Sequence, residues 1–482
     1  MPSHRRIRLP HPPGPANYNR WLGLTWRHAY RLWADPLSYA TDAAQRYGDL
    51  SSFLLFHRRA YIANHPALLH ELLVKRRDDF RKARWQTRVM REVLGDGLLL
   101  SEGDAWLRQR RLLQQAFRPT LLSDAADAAV GMTSRLVDAW TKRGSVDLVS
   151  EMAALSMSLS IHSTVGLDPF DREGTSPQEL SAALIEGADV LKRDMENPLA
   201  PPDWAPLESR RRKRAALHTL NSYLNRAIET RRASPGRYAD ILALLLGAVD
   251  TEGDGHGMAD RQARDEAATM LLAGSHASGA ALGWLWKLVL SHPRVHQRLI
   301  EEADLVLQGR AATFADLPDL TYTKQVVQET LRLFPAAWVL FCREAVRETS
   351  LGGYRVRRGG WVFAYPFVTH RDPRFFPDPL RFDPERFSPG RIGEIPTGAY
   401  FPFGHGPRNC IGQHLALMHL VLITATVLER CRLTPTLDCE DLAISRDLSI
   451  RPATPCLAAI APRCDFVEVA PRCVAMAPSE LT

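Results

Sequence analysis

One helix-forming run constrains the fold more than any other feature. It extends from about Ala259 to His292, where Pro293 ends it, and it is longer than most helices of globular proteins. Its centre, residues 271–280, reads LLAGSHASGA. Glycine and small hydroxyl residues weaken a helix, and a buried histidine needs a hydrogen-bond partner. The sequence therefore predicts a close helix crossing or a functional site at the centre of one long apolar helix.

Composition indicates a globular protein. The chain has 482 residues, of which 45% are hydrophobic and 24% are charged, so it can bury a large core. A formal charge of +7 favours an acidic partner or a membrane surface without requiring either. The basic run RRRKR at 210–214 has no interleaved aromatic residues, so we expect a solvated helix face and no nucleic-acid binding.

Cysteine usage and the chain ends bear on location. All seven cysteines lie at or after Cys342, and this odd number does not suit a secreted disulfide framework. We therefore expect reduced thiols and a cytoplasmic protein. No stretch is apolar and long enough for a signal peptide or a transmembrane anchor. We expect a Pro-rich lead-in over 1–20, a single domain over 21–462 and a C-terminal tail over 463–482.

Helical periodicity dominates the chain and strand signals are few. The segment 354–367, with Gly359 and Gly360 at its middle, predicts a hairpin, and a further strand is expected near 449–461. The segment 250–261 resembles a calcium-binding loop, but its twelfth residue is Arg261 and not glutamate, so we expect a polar turn. The fold class predicted is mainly α with a small β-rich region.

The most specific motif is FGHGPRNCIG, residues 403–412. Its glycines let the backbone approach a flat ligand closely and aim N–H groups at the sulfur of Cys410. Arg408 adds positive charge, and a helix predicted from about Ile411 places its N-terminus near the thiolate. A buried, unreactive cysteine in a glycine-rich turn is the alternative, which the complete ten-residue pattern disfavours.

This motif resembles the haem-binding signature of the cytochrome P450 family. The pattern F-x-x-G-x-R-x-C-x-G is matched by Phe403, Gly406, Arg408, Cys410 and Gly412. The resemblance extends over nearly the whole chain and implies the cytochrome P450 fold with its long helix over haem b. It also implies that Cys410 is the axial thiolate ligand of the iron. The surrounding motifs resemble the long fatty-acid-hydroxylase and eukaryotic-style branch, and the expected absence of an anchor suggests a soluble bacterial protein.

The resemblance assigns roles to residues elsewhere. In QETLRLFP and FDPERF it implies a buried structural clamp of one glutamate and two arginines: Glu329, Arg332 and Arg386. Two haem propionates need cations when they enter a protein interior. The implied cradle for them consists of Trp106, Arg110, Arg343, His405 and Arg408.

The long helix departs from the family pattern at its centre. That pattern is [Ala/Gly]-Gly-x-[Asp/Glu]-Thr-[Thr/Ser]. Ala273, Gly274 and Ser278 match it, so small residues leave room for O₂ and substrate. His276, however, stands at the acid position and Ala277 at the threonine position.

The departure bears on proton supply, because splitting O₂ consumes two protons. One possibility is that His276 relays protons itself, with Ser278 holding a water. Another is that a hydroxyl or carboxyl group of a polar, late-pathway substrate of secondary metabolism replaces the threonine hydroxyl. A third possibility is that the enzyme uses peroxide, couples radicals or rearranges its substrate. The alternative is that His276 has no catalytic function and only forms a hydrogen bond with a helix carbonyl.

The resemblance also implies substrate and partner surfaces. A substrate pocket is expected at Ala336, Ala337, Trp338 and Val339, together with 84–100, with ordinary core as the alternative for these residues, and a mobile lid is expected near 170–208. Arg108 and Arg111 are candidates for contact with an acidic ferredoxin or flavodoxin, and solvated surface is the alternative for each. A ferredoxin, a flavodoxin or a reductase would pass on electrons from NAD(P)H. The predicted activity is oxidation of an apolar or amphipathic small molecule with O₂. A peroxide-using or rearranging enzyme and a non-catalytic haem-thiolate module remain alternatives.

Overall fold

The computed structural model describes residues 9–15, 24–55, 58–117, 119–167, 177–196, 200–436, 439, 441–446 and 448–463. The predicted domain boundary at residue 20 and nearly all of the predicted tail lie outside these ranges. Within them, no helix combines the length and apolar character that a membrane span requires.

Helices make up most of the described chain, as the sequence predicts. They are α1 (Leu24–Ala34), α2 (Pro36–Tyr47), α3 (Pro66–His70), α4 (Arg84–Leu94), α5 (Gly103–Ala116), α6 (Pro119–Arg143), α7 (Leu148–Val165), α8 (Pro177–Glu196), α9 (Glu208–Ala233), α10 (Ile241–Gly247), α11 (Asp260–Leu290), α12 (Pro293–Leu307), α13 (Thr321–Leu333), α14 (Pro366–Thr369) and α15 (Gln413–Arg430).

The strands are short and form four small sheets in the described ranges. They are β1 (Leu50–Leu55), β2 (Arg58–Ala63), β3 (Phe80–Lys82), β4 (Ser145–Asp147), β5 (Arg343–Ala345), β6 (Thr349–Leu351), β7 (Tyr354–Val356), β8 (Trp361–Ala364), β9 (Cys431–Pro435), β10 (Ile444–Arg446), β11 (Ile450–Pro452) and β12 (Leu457–Pro462). The largest sheet has the order β1-β2-β8-β5-β3, and a three-stranded sheet has the order β4-β12-β9. The predicted mainly α fold class is confirmed.

The long predicted helix is α11, with 31 residues, and its closest neighbour is α7. A Cβ atom on Gly279 would lie 3.0 Å from the Cα atom of Ala153, and one on Gly274 would lie 2.8 Å from the Ser160 hydroxyl oxygen. Ser156 donates its hydroxyl to the carbonyl of Ser275 at 2.8 Å. The glycines therefore permit a close crossing of α7 and α11, which is one of the two predicted explanations of this sequence.

The predicted clamp residues meet at the C-terminal end of α13. Arg332 donates to both carboxylate oxygens of Glu329, at 2.6 and 2.7 Å, and both side chains are fully buried. Arg386 lies 3.4 Å from the same carboxylate. Burial raises the pKa of Glu329, and the ion pair with Arg332 opposes this effect. The three residues form one buried ion cluster.

A hydrogen-bonded chain joins this ion cluster to the glycine-rich loop. Arg332 donates to the backbone carbonyl of His370 at 2.8 Å. The Nε2 atom of His370 accepts the backbone N–H of Phe401 at 3.0 Å. Burial lowers the pKa of His370 to about 3, so the ring is neutral and able to accept. The clamp therefore supports the loop that carries Cys410.

The predicted hairpin over 354–367 is wrong in its pairing, although both strands exist. β7 pairs with β6 through the turn at Gly352 and Gly353, whose φ angles are +56° and +78°. β8 pairs instead with β2, in parallel, and with β5. The tight hairpin turn is the two-glycine turn between β6 and β7. The chain therefore leaves this hairpin at Gly359 and does not turn back on β7.

Replacing Glu329 by alanine should destabilise the protein by about 3 to 5 kcal/mol, because Arg332 then remains buried without a counter-ion. Urea unfolding monitored by circular dichroism measures this change. As a control, Glu385→Ala removes a partly exposed ion pair with Arg298 and should cost less than about 1 kcal/mol. Equal losses in the two variants would contradict the role assigned to the clamp.

Candidate active site

Cys410 lies between a short 3-10 turn at Gly406–Arg408 and the start of α15. Its backbone N–H donates to the carbonyl of Phe403 at 2.9 Å, which closes the loop. The helix begins at Gln413, two residues later than predicted, with Gly412 as its N-cap. Among the described cysteines, Cys410 alone is exposed. The loop thus presents one accessible thiol near a helix N-terminus.

The loop geometry requires glycine at Gly406. Its φ angle is +77°, and a Cβ atom there would lie 2.8 Å from the Val74 side chain and 3.0 Å from the Leu73 carbonyl. Surrounding protein raises the pKa of the Cys410 thiol, whereas a hydrogen bond from the Gly412 N–H and the charge of Arg110 lower it. These two groups therefore favour the thiolate.

Arg110 and Arg408 hold the loop on either side of Cys410. Arg110 donates to the carbonyl and side-chain oxygens of Asn409 at 2.9 and 3.1 Å. The Arg408 guanidinium lies 4.4 Å from the ring centroid of Trp106 and bonds to the Glu102 carboxylate at 2.5 Å. Trp106 and Arg110 of α5 therefore both lie against this loop.

Arg343 and Lys82 extend this basic cluster into the interior. No described residue accepts a hydrogen bond from the Arg343 guanidinium, and burial lowers the pKa of Arg343 to about 10. Lys82 bonds the carbonyls of Leu99 and Ser101 at 2.6 and 3.1 Å, and burial lowers its pKa to about 7. Sequence reasoning missed both Lys82 and Glu102, since neither belongs to a motif.

His405 contacts a different partner. Its Nε2 atom lies 3.2 Å from Nδ1 of His70, and burial together with His70 lowers its pKa. No described contact joins His405 to Arg343 or Arg408. The predicted cradle is therefore brought together at Trp106, Arg110, Arg343 and Arg408, whereas His405 is bonded to α3.

Solvent exposure changes abruptly from residue to residue at the centre of α11. Ala273 and Gly274 are exposed although Leu271, Leu272 and the turns after Gly279 are buried. His276, Ala277 and Ser278 are half-buried. Met270 and Ile411, the latter next to Cys410, pack against one apolar cluster. The small residues therefore interrupt an otherwise buried stretch of α11.

The contacts of His276 lie partly within its own helix. Its Nδ1 atom is 3.3 Å from the Leu272 carbonyl and 3.1 Å from the Ser275 hydroxyl oxygen. A carbonyl only accepts hydrogen bonds, so this contact favours hydrogen on Nδ1 and leaves Nε2 as the basic nitrogen. The contact with a helix carbonyl that the alternative without catalytic function expects is therefore present at Nδ1.

The predicted pocket segment leaves α13 beside α11. Phe334 stacks on Trp284 with ring centroids 3.7 Å apart. Ala336 is buried and Ala337 is exposed, whereas Trp338 and Val339 are half-buried and pack against the main core. Of the predicted lid, 168–176 and 197–199 lie outside the described residues, and α8 occupies most of the remainder.

Arg108 and Arg111, the predicted contacts for an electron donor, are both paired within the chain. Arg111 forms two hydrogen bonds with Asp250, at 2.8 and 2.6 Å. Arg108 bonds Asp254 at 2.8 Å and the carbonyls of the same turn. The polar turn predicted near 250–261 is thus the acidic partner, and it lies within this chain.

The fold and the cysteine loop together define an enzyme of the haem-thiolate class. Residues 12–455 match the family model described as Cytochrome P450. The chain belongs to the cytochrome P450 family and is a monooxygenase.

Similar proteins come from bacteria and animals. Cyclooctat-9-en-7-ol 5-monooxygenase of Streptomyces melanosporofaciens is 34% identical over 415 residues, which cover 85% of this chain and 87% of that protein. Cytochrome P450 4V2 of Mus musculus is 30% identical over 74% of this chain and 72% of its own length. The crystal structure of the cytochrome P450DA heme domain has a TM-score of 0.83 and 25% identity, and covers 95% of this chain and 98% of that chain.

Replacing Arg110 by alanine should raise the pKa of the Cys410 thiol further, because a cation that favours the thiolate is lost. Alkylation of Cys410 by iodoacetamide in the ligand-free protein at about pH 8 should then slow about threefold or more. Mass spectrometry of the peptide that carries Cys410 measures the rate. Arg108→Ala is the matched control on the same helix, and an unchanged rate in the Arg110 variant would refute the assignment.

Proposed function

We propose that this chain binds haem b through Cys410 and oxidises an apolar or amphipathic small molecule with O₂. Electrons originate from NAD(P)H and arrive through a ferredoxin, a flavodoxin or a reductase. The observation that carries the proposal is the exposed Cys410 thiol, held near a helix N-terminus with Arg110 beside it. Bound haem supplies the redox centre at which O₂ is activated for insertion into a C–H bond.

The charges near the loop fit a dianionic group. Lys82, Arg343 and Arg408 are cations that share one carboxylate, that of Glu102. When Lys82 is protonated, the cluster has a surplus of two positive charges, which equals the charge of two propionates. The unsatisfied guanidinium of Arg343 is the clearest candidate for a propionate partner, because a buried cation without an acceptor costs free energy.

Residues of α11 take the roles on the substrate side. Ala273 and Gly274 leave space for O₂ and substrate, since neither carries a side chain longer than a methyl group. His276 moves a proton at Nε2, and the Ser278 hydroxyl orders a water for the same transfer. Alternatively, a hydroxyl or carboxyl group of the substrate replaces the absent threonine hydroxyl and orders this water.

A second candidate function rests on Ala277. Without a hydroxyl at this position, delivery of protons to reduced O₂ is weakened. A reaction that uses peroxide does not need this proton delivery, which belongs to the reductase-driven cycle. Radical coupling or rearrangement would be open to the same site.

The substrate class proposed follows from chemistry and from one relative. The Streptomyces melanosporofaciens enzyme carries the name of an unsaturated alcohol, cyclooctat-9-en-7-ol, that it oxidises at carbon 5. An apolar cluster around Leu272, next to Ala273, suits a hydrocarbon skeleton of this kind in the present chain. We propose an apolar cyclic hydrocarbon with at most a few hydroxyl groups.

The carbon monoxide difference spectrum of the reduced protein tests the haem assignment. We expect a thiolate-type band in the parent protein and its loss in Cys410→Ala, because the variant has no sulfur at this position. Cys342→Ala, which alters a buried cysteine, is the control and should keep the band. An intact band in Cys410→Ala would end the assignment.

Coupling of electron use to oxidation tests the proton relay. With a surrogate reductase, His276→Ala should raise the fraction of NADPH electrons released as hydrogen peroxide by about threefold or more, because the proton carrier is lost. Ser278→Ala should raise it less, and His414→Ala, on the exposed start of α15, should leave it unchanged. Unchanged coupling in both α11 variants would assign the relay to the substrate. Turnover with peroxide alone would favour the second candidate.

A further inference from the structure

The basic run at 210–214 on α9 contradicts the expected solvated face. Arg211, Arg212 and Arg214 are exposed, but Arg210 and Lys213 are buried. The Lys213 side chain is only 2% exposed. A lysine buried this deeply is rare unless it is paired, so its partners identify what it does.

Lys213 contacts three carboxylates from three different segments. Its Nζ atom donates to Asp203 at 2.7 Å, to Asp194 at 3.4 Å and to Glu92. Glu92 belongs to α4, Asp194 to α8 and Asp203 to the loop before α9. Lys213 is thus the common partner of elements that are distant in sequence.

Arg210 completes this ionic cluster, which consists of Glu92, Asp194, Asp203, Arg210 and Lys213. Arg210 donates to both oxygens of Asp194 at 2.7 Å. Burial lowers the pKa of Lys213, but its hydrogen bonds to Asp203 and Glu92 outweigh this and raise the pKa. Burial raises the pKa of Asp194, but Arg210 and Lys213 outweigh this and lower it. These shifts favour the charged forms of Lys213 and Asp194.

An apolar cluster lies directly beside the ionic cluster. Its buried members are Met90, Val93, Leu94, Leu100, Ala188, Leu191 and Leu272. Val93 follows Glu92 in sequence, and the half-buried Met195 and Leu217, which pack against the same cluster, lie next to Asp194 and one turn after Lys213. Leu272 precedes the exposed Ala273 on α11.

The loop that carries Asp203 also presents apolar surface to solvent. Trp204 is 81% exposed and Leu207 is 44% exposed. Single exposed apolar residues are common, but these two lie where α8, α9 and the ionic cluster meet. Apolar surface is therefore exposed to solvent next to the ionic cluster.

We propose that Lys213 is a positioning residue that holds α4 against α8 and α9, and so controls how fast an apolar substrate enters and leaves the space at Ala273 and Gly274. Separating α4 from α9 would break the contact of Lys213 with Glu92 inside the protein, where a lost partner is costly. The inference rests on the proposed function, because that function places the substrate beside α11.

Hydrogen exchange of the ligand-free chain tests the positioning role without haem. In Lys213→Met, amides of α4 and of residues 200–217 should exchange at least about tenfold faster than in the parent, since the aliphatic side chain keeps the packing but loses the charge. Arg211→Met, two residues away and paired only at the surface with Glu208, is the matched control and should exchange as the parent does.

Binding kinetics of two probes test the control of access. In haem-loaded protein, association and dissociation rate constants of 4-phenylimidazole should both rise at least about tenfold in Lys213→Met, while the equilibrium constant changes less than about threefold. Imidazole, a smaller ligand, should show a smaller change in rate. A residue that merely stabilised the fold would not move the two rate constants together or make the change depend on probe size.

A second variant covers the case in which Lys213→Met does not fold. The Glu92 side chain is 42% exposed, so Glu92→Ala removes the contact to α4 with little burial at stake and should accelerate the larger probe in the same direction. Unchanged probe rates in the variants would overturn the inference, even if hydrogen exchange became faster. Absence of the thiolate band in the parent would instead refute the proposed function, and the exchange result would still decide the role of Lys213.

Discussion

The ion pair of Glu329 and Arg332 lies where no water reaches either charge, so the protein itself must satisfy every remaining polar atom. Arg332 therefore also bonds the carbonyls of His370, Pro379 and Arg381. These bonds tie α13 to the long irregular segment before the cysteine loop, and His370 passes the constraint to Phe401. An irregular chain can thus hold one thiol in a fixed position.

The need to satisfy buried charge is met differently at the basic cluster of Lys82, Arg343 and Arg408. At the clamp, each buried charge has a protein partner. At Arg343 the guanidinium has no acceptor among the described residues, and the Lys82 ammonium bonds the carbonyls of Leu99 and Ser101, so Glu102 pairs directly only with Arg408 among these three cations. A protein retains such a surplus of buried charge only if something of opposite charge offsets it. Arg332 is therefore satisfied within the protein whereas Arg343 is not, although both resemble family motif residues.

Local pattern and chemistry explain which features the sequence could predict. The period of α11, its end before Pro293 and the glycine-rich loop around Cys410 depend on neighbouring residues, and the structure has all three. Contacts between distant segments were not predictable from spacing. The pairing of β8 with β2 spans about 300 residues of chain, and Arg111 could not be matched to Asp250 until α5 and the polar turn were placed together. Lys213 looked solvated for the same reason, since its three carboxylates come from separate elements.

The centre of α11 shows the close helix crossing that its small residues predict. One side of the helix meets α7, where Gly274 lies against Ser160 and Gly279 against Ala153. The exposed atoms of Ala273 and Gly274 face space that α7 does not fill. His276 is half-buried, and its Nδ1 atom lies 3.3 Å from the Leu272 carbonyl. This contact restricts the direction of the ring, and the proposed proton transfer depends on that direction, because transfer requires hydrogen-bond geometry before it requires a matched pKa.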